Sequence, residues 1–125
     1  MSVTNQAVLF VLAVGSRQSV ELVAGPAAAQ ATATRLNNAV CRCTKGVSTG
    51  SFILPSILSG EANEVIMLVN DTAVALNVYP AVGEKNNGSA NAAISVAAGA
   101  SGLFVPVLNS TNQLTTLDWR SAVIS

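Results

Sequence analysis

Apolar and polar residues alternate in short runs along most of this chain, and turn residues interrupt the runs at close intervals. Residues 7–14 form a continuous apolar run of strand length, closed by Gly15 and Ser16. Residues 19–24 alternate and stop at Gly25-Pro26, and residues 40–44 alternate up to Gly46. Residues 51–54 end at Pro55, and residues 65–70 end in Asn70-Asp71. Further runs occupy residues 75–79, 92–97, 102–108 and 117–124. A side-chain period of two, bounded by Gly, Pro, Asn and Asp, predicts strands. The tight Asn70-Asp71-Thr72 turn predicts a hairpin between its flanking strands. Tyr79-Pro80 ends a strand, because proline has no N–H to give a ladder. Asn87-Gly88 is a favoured pair for a type I′ turn. The helix-friendly stretch is residues 26–39, opened by Pro26, but β-branched Thr32 and Thr34 reduce it to a short helical turn or an extended arm.

About eight short strands with regular turn signals predict an all-β fold. The expected form is a single-domain antiparallel β-sandwich, jelly-roll-like, over residues 1–125, with residues 1–14 as an interface arm or edge strand. A chain of 125 residues can bury a core without disulfides or metal.

Composition changes the picture. Half the residues are apolar, 10% are charged and the net charge is zero. A typical soluble domain is roughly 25% charged. A free monomer with so little repulsion self-associates, so much of this surface is expected to lie against other protein. The six Lys and Arg are scattered, and the densest basic stretch is Arg42 and Lys45. That is too thin to neutralise a phosphate backbone, so nucleic acid is not an expected partner. The longest apolar run, residues 7–14, is well short of the ~18 residues of a membrane span. It lacks a preceding basic residue, as a secretion signal would require, so a buried strand is the better reading.

Candidate chemistry is sparse. With no histidine, nucleophile–His triads are excluded and most metal sites lose their usual ligand. Cys41 and Cys43 fall on one face of a strand and read as two small buried hydrophobes in a reducing compartment, with an intersubunit bridge or a shared metal as the alternative. Glu61 and Glu64 are the only closely spaced carboxylates before a strand, and solvated loop residues are the expectation for them. Asp71 reads as a turn former, and Asp118 and Arg120 as a surface pair on the last strand. No phosphate-binding loop is present, and the Asn-rich turns account for the formal glycosylation sequons. At 4% aromatic content, stacking platforms for sugars or bases are not expected; Phe10, Phe52, Phe104, Tyr79 and Trp119 are spaced like core anchors. No enzyme activity and no cofactor are expected.

The stretch "VNDTAVALNVYPAVGEKNNGSANAAISVAAGASGLFVPV", residues 69–107, resembles a segment of small structural proteins of tailed bacteriophages. It shares with them an Asn-containing turn, Ala-Leu-Asn-Val-Tyr-Pro, an Asn-Gly loop, Ala-Asn-Ala-Ala, an Ala-Gly turn and a Phe-containing strand. The upstream "QATATRLNNAVCRCT" and "GSFILP" are similar in order, so the resemblance spans roughly residues 30–107. The tail after Pro106 is longer than in that pattern and holds a single Trp. The resemblance implies a capsid decoration or cement protein, located on the virion surface and in the host cytoplasm during assembly. Its implied partners are the major capsid protein and further copies of itself, as a dimer or trimer, with no nucleic acid and no membrane. A tail, neck or head-fibre component is the related alternative, and a small carbohydrate-binding adhesive β-sandwich is the alternative of another class. The interface candidates are the N-terminal Val8, Leu9, Phe10, Val11 and Leu12, suited to strand addition, the loop residues Tyr79, Pro80 and Asn87, and Trp119.

Overall fold

The computed structural model describes residues 20–45, 50–58, 64–107 and 117–125. Eleven strands lie among them: β1 (Val20–Glu21), β2 (Thr34–Arg35), β3 (Val40–Cys43), β4 (Ser51–Ile53), β5 (Ile66–Asn70), β6 (Leu76–Tyr79), β7 (Lys85–Asn86), β8 (Ser89–Ala90), β9 (Ile94–Val96), β10 (Ser101–Val107) and β11 (Asp118–Ile124). They form a seven-stranded sheet, β1-β3-β5-β10-β11-β7-β8, and a four-stranded sheet, β2-β4-β6-β9. The strand expected over residues 7–14 lies outside the described residues.

The alternation seen in the sequence places alternate residues inside. Cys41, Cys43, Ile66, Leu68, Phe104 and Trp119 point inward from the larger sheet. Phe52, Leu76, Val78 and Val96 point inward from the smaller one, and all join one buried apolar cluster. Full burial of a side chain such as Phe52 or Phe104 contributes about 1.5–3 kcal/mol. Gly102 sits on the inward side of β10, where a Cβ would come within 2.8 Å of both Phe104 and Val96. Its missing side chain lets the two sheets close together at that point.

The all-β, two-layered expectation holds, but the sheets are mixed and not antiparallel as expected of a jelly-roll-like sandwich. Up to β6 the chain passes from one sheet to the other at each step, so β1, β3 and β5 run parallel in one sheet and β2, β4 and β6 parallel in the other. Antiparallel pairing enters with β9 against β6, with β10 against β5 and β11, and in the β7–β8 hairpin. The Asn70-Asp71-Thr72 turn therefore does not close a hairpin. It leads from β5 in the larger sheet to β6 in the smaller. The connection from β9 to β10 makes the reverse crossing beside it.

Asn70 joins the two crossings. Its Nδ2 donates to the carbonyls of Val74, Val96 and Ala97 at 2.9–3.1 Å. Its Oδ1 accepts from the N–H and hydroxyl of Thr72. Its backbone exchanges bonds with Ala100 and Gly99. Asp71, expected to form that turn, instead pairs with Arg42 at 2.6 Å. Between residues 26 and 39, the helical tendency is confined to a 3-10 helix, Gln30–Thr32, without a side-chain cap. Thr34 then enters β2, in keeping with its β-branched side chain.

Candidate interaction surfaces

The two sheets present unlike outer faces. On the smaller sheet, the outward rows are Ser51–Asn77–Ser95 and Arg35–Ile53–Tyr79. Ser51 is covered by the preceding loop, its hydroxyl donating to the Ala27 carbonyl at 2.6 Å. This is the polar alternation of a sheet with one solvated face. On the larger sheet, one outward row reads Val40–Met67–Leu103–Ala122, and the next reads Arg42–Val69–Ser101–Ile124. Val105 beside Arg120 continues the face. Val105 and Val107 are 42% and 41% exposed. Apolar residues on both sides of β5 and β10 are the pattern of strands buried on both faces. Charge lies toward the two sides of the sheet, with Glu21 in register beside Arg42 and Lys85 in register beside Asp118. Arg42 meets Asp71 at one side, and Arg120 meets Asp118 at 3.0 Å at the other. Asp118 is nearly buried, contrary to the surface placement expected of that pair.

A second surface is the tip of the β7–β8 hairpin. Asn87 (φ 48°) and Gly88 (φ 88°) both adopt the left-handed conformation of a type I′ turn. Asn87 donates its N–H to the Trp119 carbonyl at 2.8 Å, and its side chain exchanges two bonds with Ser121. The Gly88 N–H donates to Asp118 Oδ1 at 3.1 Å. At the base, Asn91 accepts from the Gly83 N–H at 2.7 Å. Glu84 is buried, and its carboxylate accepts from the Ser56 hydroxyl and the N–H groups of Ile57 and Leu58. The tip, residues 87–91, is exposed, uncharged and small in side chain, yet its backbone is fixed on several sides.

The residues singled out in the sequence divide between these surfaces and the core. Asn87 is exposed at the hairpin tip, and Tyr79 is half-buried on the outer face of the smaller sheet. Pro80 and Trp119 are buried, and Trp119 belongs to the apolar core. Trp119 is the largest fully buried side chain, and Pro80 offers its carbonyl to Gln30 Nε2 at 2.7 Å. Val8, Leu9, Phe10, Val11 and Leu12 lie outside the described residues, as does Glu61. Cys41 and Cys43 are free thiols buried on the inner face of β3. Desolvation raises the pKa of the Cys41 thiol, against hydrogen bonds with the Asn38 and Asn37 backbone that lower it.

The sequence reading missed Glu84 and Asn70. The one signal for Glu84 was its isolation, as a single carboxylate in a long stretch of small uncharged residues. An open cleft of about 470 Å³ lies between Gln30, Arg35, Ile53, Ser56 and Val82. Gln30 and Ser56 are already committed there, to Pro80 and Asn91 and to Glu84. Among the described residues no helix is long and apolar enough to cross a membrane. No family model, curated protein or solved structure matches the chain.

Proposed function

We propose that this chain is a virion structural protein: a capsid decoration or cement protein that binds the major capsid protein of a bacteriophage and stabilises the mature head. The observation that carries this reading is a charge-poor surface whose larger sheet turns Val, Met, Leu and Ile outward, where a free monomer turns polar side chains. No charged residue occurs between Lys85 and Asp118, a stretch that includes the hairpin tip, β9 and β10. Such a surface suits protein neighbours on a lattice. The mechanism is burial of interface area without covalent chemistry and without a cofactor. A standard interface buries roughly 1,200–2,000 Å² in total, and repeated contacts on a shell add avidity to sites that are weak alone. The hairpin tip is the contact assigned to the shell, because a backbone fixed before binding loses little entropy on docking.

The test is sedimentation of the purified protein with expanded capsid shells that lack it. Co-sedimentation at a fixed ratio to the shell subunit is the expected result. A discrete species that ignores the shell overturns the reading and favours the tail, neck or head-fibre alternative.

A further inference from the structure

We propose that Asn87-Gly88 is a latent self-modification site, which β11 holds shut in the folded protein. It is the single Asn-Gly step of the chain. Glycine leaves its own nitrogen open to close approach, because it has no Cβ. The chemistry is an intramolecular acyl transfer. The Gly88 nitrogen bonds to the Asn87 Cγ, the bond from Cγ to Nδ2 breaks, and the Gly88 proton leaves with Nδ2 as ammonia. Water then opens the cyclic imide at either carbonyl, leaving aspartate or isoaspartate. Both residues are exposed, so water reaches them. A Cβ at Gly88 would meet no atom within 4 Å, so the surroundings leave room for the ring.

The folded tip opposes the first step at both reacting atoms. Attack requires the Gly88 nitrogen without its proton. That N–H donates to Asp118 Oδ1 at 3.1 Å, and an anion beside an N–H opposes its ionisation. Asp118 is 5% exposed and paired with Arg120 at 3.0 Å, so the acceptor is itself held in place. The carboxamide is pinned at both ends. Its Nδ2 donates to the Ser121 hydroxyl at 2.8 Å, and its Oδ1 accepts from the Ser121 N–H at 3.0 Å. The Asn87 N–H donates to the Trp119 carbonyl at 2.8 Å, which fixes the backbone beside it. Nucleophile and target are thus tied to different residues of one strand, and neither turns onto the other without breaking a bond. In the native protein the reaction runs through a local opening of the tip. Its product does not close again. Isoaspartate adds a carbon to the main chain of a turn built on two consecutive left-handed residues, at φ 48° and 88°. Aspartate adds a negative charge to a tip already tied to the Asp118 carboxylate. The assignment is independent of the capsid reading.

The test is peptide-resolved mass spectrometry of the full chain, incubated in mildly alkaline buffer with and without denaturing urea. Conversion of Asn87 to the acid should be roughly tenfold or more slower in the native protein, the ratio being set by the opening equilibrium of the tip. Asp118→Asn keeps the size of the side chain and removes the anion. It should raise the native rate roughly tenfold, as for a lost charge-assisted hydrogen bond, and leave the rate in urea unchanged. Asn70→Ala weakens the fold far from the tip and should leave the native rate near that of the wild type. Amide hydrogen exchange needs no variant: the Gly88 N–H should be protected although the residue is exposed. Equal rates with and without urea overturn the proposal, as does a Gly88 amide that exchanges as freely as in the denatured chain. Asp118→Asn reacting at the wild-type native rate also overturns it. A rate in Asn70→Ala that rises in step with its lost stability would mean that the whole fold must open, and ends the assignment to the tip.

Discussion

Asn70 meets every polar demand of the corner it occupies. Two amide hydrogens serve three carbonyls, and the amide oxygen serves Thr72. Removing the amide leaves buried carbonyls unpaired, at about 1–3 kcal/mol for each group stranded. Asn70→Ala is therefore expected to destabilise the fold by about 3 kcal/mol, read from the urea midpoint. Asn70→Asp should cost more, because a carboxylate oxygen would face three carbonyls. Cys41 gives a pH signature of the core. Its folded pKa is raised by burial, and an unfolded thiol titrates near ~8.5. Above that pH the unfolded chain releases a proton that the folded chain keeps, so the unfolded state gains. The contribution is fully present below about pH 8.5 and is lost as pH rises toward the folded value. Thermal melts of the wild type should thus fall more steeply above about pH 8.5 than those of Cys41→Ala. Equal slopes would show that the thiol ionises alike in both states.

At the scale of elements, the spacing between sheets is set where β10 passes β9. Gly102 has no room for a methyl group beside Phe104 and Val96, both fully buried. Gly102→Ala is expected to cost about 1–3 kcal/mol through overpacking. A measured loss below about half a kcal/mol would mean that the layers separate freely there. Strand existence was legible in the sequence because a half-buried strand writes its two faces into alternate residues, as in Ile66–Asn70. The Asn87-Gly88 turn was legible because two consecutive left-handed residues demand that pair. The route of the chain was not. The Asn70-Asp71-Thr72 turn has the same local chemistry whether it returns within a sheet or crosses to the next one. The choice depends on carbonyls more than twenty residues away, at Val96 and Ala97. Glu84 was hidden for the same reason. Two of its partners are backbone N–H groups of Ile57 and Leu58, which carry no mark in the sequence.

For the whole molecule, zero net charge and an apolar surface are compatible with a folded protein that stays in solution only if its faces are used. The larger sheet supplies one such face. The hairpin tip supplies a different kind of contact, small in area and fixed in shape. Asn87 anchors it to β11 through both backbone and side chain, and Asn91 closes its base. Ala90 is exposed at this tip and belongs to the two-residue β8. Lysine at that position points into solvent in the free protein, so the melting temperature should stay within about the change that half a kcal/mol produces. Against a shell, the same lysine must be desolvated and accommodated where a methyl group sat. Ala90→Lys should therefore reduce the amount of protein that co-sediments with shells by roughly tenfold or more, the effect of losing a central contact worth about 1.4 kcal/mol. Repetition over a lattice multiplies the loss, since avidity scales with each single site. A variant that still binds shells at wild-type ratio would show that the tip is solvent-facing in the assembly, and would move the shell contact to the outer face of the smaller sheet around Tyr79.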